Sequence, residues 1–487
     1  MNALLHDLLD RAPGTRPAVG HGDNVETYRA VVAASRDVAR HLTSHGVQRG
    51  DRVIVAVAPD VLVPGLLYGC SRVGAAFCVF GEQAPAPAYA HVLDDAEPAL
   101  VITENADLRK LAADRGITCL SLADLRVPPP DVDLPAGPIP VDPACLIYTS
   151  GSTGLPKAVV STHAQMTFAV TAIQSQLGYL RDDVVFCALP LSFDYGMYQI
   201  FLATVAGARI QLATAADAGP RLLAELHRYR ATVLPAVPGM ANALARLMSR
   251  PTAQPPSLRL MTNTGSAMPD GVLRVLRDRI PTLGIQLMFG LTECKRTTIM
   301  PIDGDLRRPG SSGRALPGTE VFAIDPDGRR LPAGEVGELV VRGPHVMAGY
   351  WRRPELTAQR FPRVNGLFPE LRTGDHGWLD DDGFLYFVGR RDDLYKERGF
   401  RVSAIEVAAA ATRLDGVEAA AVVPPGGDRE TAMLVVVTEL APNEVLTLLR
   451  NELEDFKVPG ECLVVEQIPV TRNGKVDRAA LARVTHV

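Results

Sequence analysis

The chain has 487 residues, of which 47% are apolar and 22% are charged, and it carries a net charge of −5. This composition is typical of a globular protein, and the length predicts two or more domains. The net negative charge gives no electrostatic basis for binding nucleic acid or an anionic membrane. No uncharged apolar run reaches the roughly 18 residues that a membrane-spanning helix needs. We therefore expect neither nucleic acid nor a membrane as a partner.

Seven cysteines are scattered along the chain without a Cys-x-x-Cys pair or the spacing of metal ligands. Most of them lie in apolar stretches, as Cys70 and Cys78 do, which predicts buried, reduced thiols. Acidic and basic residues interrupt the apolar stretch within residues 1–14, which argues against a signal peptide. These features favour a cytoplasmic protein.

The first part of the chain alternates short apolar strands with helical patterns. Residues 51–58 and 98–103 predict strands, and the segment between them predicts a helix. A proline-rich connection follows at 128–143, and the alternation resumes from 145 to 300. This order is typical of layered α/β sheets.

The pattern changes after residue 318. Residues 318–345 and 371–389 contain strands separated by glycine turns, which predicts a small β-rich subdomain. Beyond 390, predicted helices at 403–413 and 442–455 alternate with three strands. We therefore expect a large N-terminal domain over 1–389 and a small α+β domain over 390–487.

A loop rich in small polar residues follows the apolar run that ends at Tyr148. Glycines allow backbone N–H groups to converge on an anion, hydroxyls add hydrogen-bond donors, and a lysine adds charge. The loop therefore suits phosphate, although its spacing is not that of a P-loop and a plain surface loop remains an alternative. The residues concerned are Thr149, Ser150, Gly151, Ser152, Thr153, Gly154 and Lys157.

The spelling YTSGSTGLPK at 148–157 resembles the phosphate-binding motif of the adenylate-forming superfamily. That superfamily contains acyl-CoA synthetases, firefly-type luciferases and adenylation domains of nonribosomal peptide synthetases. Further motifs follow in the family's order, namely FGLTEC at 289–294, TGD and GRRDD within 373–393, and PVTRNGKVDR at 469–478. The resemblance covers nearly the whole chain and implies that the C-terminal domain is mobile.

The resemblance implies a role for each motif residue. The cofactors would be ATP and Mg²⁺, and the loop at 149–157 would hold the outer phosphates. Phe289, beside Gly290, would stack on adenine, Thr292 would contact the α-phosphate, and Glu293 would hold Mg²⁺. Asp375 and Arg390 would contact the ribose, and Asp392 would be the hinge of the C-terminal domain. Lys475 would be the catalytic cation, and Gly399 would lie beside the pantetheine path.

The acid-binding pocket is predicted from the segment 189–201. Amino-acid-activating relatives carry Phe-Asp here, so Phe193-Asp194 resembles a site in which the aspartate binds the substrate ammonium. The alternative is that Asp194 caps a helix starting near Gly196. Bulky tyrosines in the predicted lining favour a small acid. The other predicted lining residues are Tyr195, Tyr198, Gly239, Thr264, Gly265 and Met288.

Lys295 and Arg296 depart from the smaller or apolar residues that many relatives carry after Thr-Glu. Two cations beside the acid pocket could recognise a second anionic group, which would make the substrate a dicarboxylate or an unusual anion. They could equally bind phosphate or pair with surface acids.

The sequence therefore predicts an ATP-dependent ligase that adenylates a small, amino-acid-like carboxylic acid and passes the acyl group to a thiol. The thiol would belong to CoA or to a separate carrier protein. Alternatives are an acyl-CoA synthetase for a non-amino acid, an amide-forming ligase with an amine acceptor, an enzyme for an unusual anion, and a non-catalytic nucleotide binder. The intact motif residues argue against the last of these.

Overall fold

The structure is a computed structural model that describes residues 4–149, 156–265, 267–364, 368–390, 394–397, 400–425, 429, 431–453, 457–471 and 476–484. The helices are α1 (Leu5–Asp10), α2 (Tyr28–Ser44), α3 (Val63–Val73), α4 (Ala86–Ala96), α5 (Ala106–Ala113), α6 (His163–Leu177), α7 (Asp194–Ala206), α8 (Leu222–Arg228), α9 (Pro238–Met248), α10 (Asp270–Arg279), α11 (Pro354–Arg360), α12 (Ala404–Thr412), α13 (Pro442–Leu449) and α14 (Arg478–Val484).

The strands are β1 (Pro17–His21), β2 (Asn24–Thr27), β3 (Arg52–Ala56), β4 (Ala76–Val79), β5 (Leu100–Thr103), β6 (Thr118–Leu120), β7 (Pro143–Thr149), β8 (Lys157–Thr162), β9 (Val184–Cys187), β10 (Arg209–Leu212), β11 (Val233–Ala236), β12 (Leu260–Asn263), β13 (Gly284–Phe289), β14 (Thr298–Ile299), β15 (Arg314–Ala315), β16 (Glu320–Ile324), β17 (Gly337–Arg342), β18 (Gly349–Tyr350), β19 (Leu371–Leu379), β20 (Leu385–Arg390), β21 (Leu394–Glu397), β22 (Phe400–Ser403), β23 (Val417–Val423), β24 (Met433–Thr438) and β25 (Glu461–Val464).

Two large sheets organise the N-terminal part. One runs β15-β14-β13-β12-β11-β9-β10-β1-β2, and the other runs β18-β8-β7-β4-β3-β5-β6. The inner pairs β11–β12, β12–β13, β3–β4 and β3–β5 are parallel and are joined through helices, as parallel neighbours require. The predicted layered α/β architecture is confirmed, including strands β3 and β5 with helix α3 between them.

Helix α7 lies inside the main hydrophobic core. Its residues from Asp194 to Thr204 are all buried, as expected of a helix that is apolar on every side. Phe201 of α7 packs against Phe77 of β4, with ring centroids 6.3 Å apart. A Cβ at Gly196 would lie 2.5 Å from the Pro190 carbonyl oxygen, so only glycine permits this close approach. The first turn of α7 is thereby held in the interior.

The predicted β-rich subdomain is the antiparallel sheet β16-β17-β19-β20. The turn from Asp380 to Gly383 joins β19 to β20, and Gly383 has a φ of +78°, as a tight turn containing glycine allows. The register sets Asp375 opposite Arg390. The two predicted ribose contacts are therefore cross-strand neighbours.

The C-terminal part contains the sheet β23-β24-β25 with α12 and α13 packed on it, which confirms the predicted α+β character. Helix α13 ends at Leu449, so the expectation that it continues to 455 is wrong. Asn451 follows this end, and asparagine favours helix termini over interiors. The exact boundary at 389/390 stays a prediction.

All seven cysteines are free, five of them buried and two partly buried. Within the described residues, no helix combines the length and the apolar character needed to cross a membrane.

Candidate active site

Asp194 is the first residue of α7 and is almost fully buried. Phe193 occupies the N-cap position, and no side-chain hydrogen bond caps the helix. The alternative that Asp194 is a helix cap is therefore wrong. Its carboxylate instead lies 3.5 Å from the Arg296 guanidinium, and both side chains are buried. The two residues form an internal ion pair at the start of a core helix.

A tight loop after β13 carries the second half of this pair. The Thr297 amide donates to the Phe289 carbonyl at 2.8 Å and closes the loop. A Cβ at Gly290 would lie 2.2 Å from the Lys295 carbonyl oxygen, so this close packing requires glycine. Lys295 has a φ of +63°, a conformation that is uncommon for a lysine and that surrounding contacts must hold. The loop therefore fixes the backbone from which two cations project inward.

Arg296 is held from several directions. Its guanidinium lies 4.7 Å from the Tyr195 ring centroid and donates to the Lys295 carbonyl at 2.8 Å, besides pairing with Asp194. Tyr195 is itself fixed, because its hydroxyl is 2.7 Å from both the carbonyl and the hydroxyl of Thr262. The alternative that Arg296 pairs with surface acids is wrong, because its carboxylate partner is buried.

Lys295 is buried to 1% exposure, and its Nζ has no hydrogen-bond partner among the described residues. Nζ lies 5.4 Å from the Tyr198 ring centroid. Burial lowers the pKa of Lys295, and the nearby Asp194 carboxylate opposes that shift. A buried polar group without a partner is expensive and calls for a missing water, ion or ligand.

Other predicted pocket residues also have buried polar atoms without a hydrogen-bond partner among the described residues. The Tyr198 and Thr264 hydroxyls and the Arg296 Nε are buried without a hydrogen-bond partner within the described part of the chain. Gly265 has a φ of +93°, and a Cβ added to it would lie 3.8 Å from the Phe193 ring. Met288 is buried on β13, whereas Gly239 is exposed near the start of α9. Several polar atoms of the predicted lining therefore lack a partner among the described residues, whereas Tyr195 and Asp194 have one.

Glu293, the predicted metal ligand, is buried in the same loop, beside the half-buried Thr292. Its Oε1 accepts a 2.7 Å hydrogen bond from the Tyr350 hydroxyl. Burial and the adjacent carboxylate raise the pKa of Tyr350, so the hydroxyl remains a donor. Lys157 Nζ lies 4.0 Å from the centroid of the same tyrosine ring. Tyr350 therefore joins two predicted phosphate-binding motifs.

Tyr350 is a site residue that the sequence analysis missed. The segment that carries Tyr350 has no motif that indicates a functional site. The position of Tyr350 depends on the antiparallel pairing of β18 with β8, which lies almost 200 positions away in the sequence. Only an aromatic residue after a glycine, in 349-GYW-351, was available as a signal.

The predicted adenine and ribose contacts lie on neighbouring elements. Phe289 packs against Phe387 of β20, with ring centroids 5.3 Å apart, and β20 ends at Arg390. Asp375 on β19 is buried. At the start of the phosphate loop, Thr149 is paired in register with Lys157. The predicted residues outside the described ranges are Ser150, Gly151, Ser152, Thr153, Gly154, Asp392, Gly399 and Lys475.

Comparison with known families identifies the class of protein. A family model described as AMP-binding enzyme matches residues 7–351, and one described as AMP-binding enzyme C-terminal domain matches residues 406–475. The chain belongs to this family of adenylate-forming enzymes and is a ligase by membership, which confirms the resemblance stated above.

Two curated relatives show the range of the family. A feruloyl-CoA synthase from Amycolatopsis is 30% identical, with 96% of this chain and 95% of that protein covered. A dimodular nonribosomal peptide synthase from Bacillus subtilis is 29% identical over 93% of this chain. The chain spans only 20% of the length of that synthase.

Two solved structures share the fold. ATP-bound MatB from Rhodopseudomonas palustris gives a TM-score of 0.89 at 27% identity, with 99% of each chain covered. VinN in complex with L-aspartate gives a TM-score of 0.71 at 36% identity, covering 79% of this chain and 98% of that one. The fold class, with a large N-terminal and a small C-terminal domain, is therefore confirmed.

The Tyr350–Glu293 hydrogen bond should contribute to adenylate formation. Tyr350→Phe removes the hydroxyl and keeps the ring beneath Lys157, so Glu293 loses its orienting donor. We expect the rate of substrate-dependent pyrophosphate exchange to fall about tenfold, the effect of about 1.4 kcal/mol.

Tyr28→Phe is the matched control, because this buried tyrosine donates to the Ala203 and Ala208 carbonyls, away from the predicted motifs. It should lower the melting temperature while leaving the exchange rate per folded enzyme close to that of the parent. Equal rate losses in both variants would show that Tyr350 acts only through stability.

Proposed function

We propose that this ligase adenylates a small amino acid carrying a second carboxylate and transfers the acyl group to a thiol. The observation that carries the proposal is the buried Lys295 Nζ, which lies beside the Asp194–Arg296 pair without a hydrogen-bond partner among the described residues. A second carboxylate on the substrate supplies the missing partner. The complex of VinN with L-aspartate, 36% identical over most of this chain, supports the same substrate class.

The charges of the pocket support an anionic group on the substrate. Asp194 and Arg296 form an ion pair with each other, whereas the Lys295 Nζ, buried beside them, has no hydrogen-bonded carboxylate among the described residues. A buried charge is tolerated when it is paired and hydrogen-bonded. A substrate carboxylate at Lys295 meets that condition, whereas an apolar acid leaves the lysine unpaired.

The amino group is the second part of the proposal. Asp194 would bind the substrate ammonium while it keeps Arg296 as a neighbour, because a carboxylate can accept several hydrogen bonds. A second candidate is a dicarboxylate without an amino group. The existing ion pair of Asp194 with Arg296 favours that candidate, because it already satisfies the aspartate.

The nucleotide site follows the family resemblance. We propose that the 149–157 loop and Lys157 hold the outer phosphates, that Phe289 stacks on adenine, and that Asp375 and Arg390 bind the ribose. Glu293 suits Mg²⁺, which takes few protein carboxylates and fills its other positions with phosphate and water oxygens. Once bound, Mg²⁺ would neutralise charge on the phosphates.

The reaction then has two halves. A carboxylate oxygen of the acid attacks the α-phosphorus, and pyrophosphate leaves. We propose that Lys475, carried by the C-terminal domain, stabilises the developing charge. A rotation about Asp392 then removes Lys475 and brings Gly399 beside the pantetheine path, and the thiol displaces AMP from the acyl carbonyl. Both CoA and carrier-protein thiols are consistent with the relatives, and free thiols together with a need for ATP support a cytoplasmic location.

A substrate panel tests the proposed function. Pyrophosphate exchange should be strongest with L-aspartate. The kcat/KM for L-asparagine and L-alanine should be at least about 100-fold lower, because neither side chain supplies a negative charge to Lys295. Succinate lacks the amino group but keeps both carboxylates, so its kcat/KM should lie between those of L-aspartate and L-alanine. The Lys475→Ala variant is the control for catalysis by this chain and should lose about 10²–10³ of the rate.

Equal activity with L-alanine and L-aspartate would refute the dicarboxylate assignment. Higher activity with succinate than with L-aspartate would replace the amino-acid assignment by the second candidate.

Replacing Lys295 should separate function from stability. Lys295→Met removes a buried group whose pKa is lowered by folding, so we expect the free energy of unfolding at neutral pH to rise by about 1 kcal/mol or more. The gain should shrink as pH rises towards the pKa of an unfolded lysine, where the parent no longer carries the charge in either state. Chemical denaturation at several pH values measures this.

Selectivity for L-aspartate over L-alanine should disappear in the same variant. Lys110→Met, at an exposed position in α5, is the matched control. It should change neither the free energy of unfolding nor the selectivity for L-aspartate over L-alanine. A large loss of stability in Lys295→Met would instead show that Lys295 has a structural role.

The pH dependence provides an independent test. Binding of the second carboxylate requires protonated Lys295, and the pKa of this lysine is below its ordinary value in the free enzyme. The KM for L-aspartate should therefore rise with pH below the range in which an ordinary lysine titrates. Lys295→Arg should remove this rise, because arginine stays charged.

At each pH, the kcat/KM of the parent is divided by that of Lys295→Arg. Both enzymes meet the same substrate, so titration of the substrate amine cancels in this ratio. The neighbouring thiols of Cys145 and Cys294 do not interfere, because burial raises the pKa of each to about 12. A ratio that stays constant from pH 7 to about pH 10 would contradict the assignment.

A further inference from the structure

Helix α4 presents two polar side chains, one turn apart, to the two ends of the phosphate loop. His91 and Asp95 are separated by four positions and therefore lie on the same face of the helix. Tyr148, near the end of β7, precedes the loop, and Pro156, just before β8, follows it. Each of these loop ends is hydrogen-bonded to one residue of α4.

Asp95 is buried and is the anchor of the first end. Its Oδ2 accepts from the Tyr148 hydroxyl at 2.8 Å, and its Oδ1 accepts from Arg353 at 2.7 Å. Its backbone carbonyl accepts from the Trp351 indole at 3.1 Å. A carboxylate satisfied by a hydroxyl and a guanidinium is held in a single orientation. The position of Tyr148 is therefore tied to α4.

His91 anchors the second end. Its Nε2 donates to the Pro156 carbonyl at 2.7 Å, since a carbonyl can only accept. The same imidazole meets the Tyr148 ring edge-on, with centroids 6.3 Å apart at 83°. One side chain thus touches both ends of the loop. The pairing of β7 with β8 fixes the spacing of the two ends, and His91 and Asp95 fix where those ends lie relative to α4.

The helix itself is firmly held. Tyr89, Val92 and Leu93 are buried in a core cluster that includes strands β3, β4 and β5. The Tyr89 hydroxyl also donates to the Gly81 carbonyl at 2.9 Å. Because α4 is anchored on the sheet, it can transmit a fixed geometry to the loop.

The same helix supports Tyr350. Trp351 and Arg353, which contact Asp95, follow directly after Tyr350, whose hydroxyl orients Glu293 and whose ring lies beneath Lys157. Asp95 therefore fixes both the entry to the phosphate loop and the segment that carries the Glu293 partner.

We propose that His91 and Asp95 are positioning residues for the β- and γ-phosphates of ATP. They touch no reacting atom and act through Tyr148, Pro156 and the 350–353 segment by fixing where the paired loop ends lie relative to α4. The inference rests on the proposed assignment of residues 149–157 to the outer phosphates. It does not depend on which acid is adenylated.

The test compares KM for ATP with the inhibition constant for AMP in His91→Ala and Asp95→Asn. AMP lacks the outer phosphates, so its inhibition constant should stay unchanged, as should the KM for the acid. The KM for ATP should rise about 3- to 10-fold in His91→Ala, the loss of one hydrogen bond. His91→Gln, whose amide can donate to the Pro156 carbonyl, should restore most of it.

Val92→Ala is the matched structural control, because Val92 lies on α4 between the two residues and packs into the core. It should lower the melting temperature and leave the ratio of ATP KM to AMP inhibition constant unchanged. The same ratio in Val92→Ala and His91→Ala, or a parallel loss of AMP and ATP affinity, would overturn the proposal. All variants are measured with whichever acid the substrate panel selects, so failure of the dicarboxylate assignment is seen separately.

Discussion

The burial of three charged side chains at the start of α7 is the constraint on which the acid-binding side of the molecule depends. A core helix that is apolar on all sides brings Asp194 into the interior, where a lone carboxylate would be unstable. Arg296 pairs with this buried carboxylate. It reaches Asp194 because Gly290 lets the loop after β13 fold tightly on itself. Lys295 is carried inward by the same loop, and its Nζ has no hydrogen-bond partner among the described residues.

The loop that brings in these cations also carries Glu293, so one short segment holds residues that we propose for binding both the acid and the nucleotide. On one side, Tyr350 orients Glu293. On the other side, Tyr195 and Tyr198 lie against Arg296 and Lys295. In the proposed reaction, the carboxylate and the triphosphate repel each other, and a single segment that holds a binding group for each would reduce the freedom lost on reaching the transition state. The proposal thereby gives the rigidity of this loop a chemical role.

The sequence was sufficient for the features that are local in the chain. The alternation of strands and helices predicted the sheets, and the resemblance of four motif spellings predicted the family, because each motif is a short continuous stretch of sequence. The pocket was predicted less completely. Residues 295 and 296 were recognised as unusual, but their burial and the ion pair with Asp194 depend on a contact across 102 positions, which no local pattern encodes.

His91, Asp95 and Tyr350 escaped sequence reasoning for the same physical reason. Each acts through a partner that is more than fifty positions away, and each occurs in a segment whose composition is ordinary for a helix or a strand. The predicted helix was longer than α13 because apolar residues continue past Leu449, whereas the observed helix ends there with Arg450 at the C-cap position. Local signals locate elements better than they locate ends and partners.

The different chemistries of lysine and arginine explain their order in the loop. The planar guanidinium of Arg296 lies against the Tyr195 ring, donates to the Lys295 carbonyl and forms an ion pair with Asp194, so it suits a structural role. Lys295 is the cation whose pKa is lowered by burial, and the Asp194 carboxylate opposes that shift. A substrate carboxylate bound at Nζ would act in the same direction as Asp194 and favour the charged form of the lysine. The proposed role in recognition therefore falls on the lysine, and the structural role falls on the arginine.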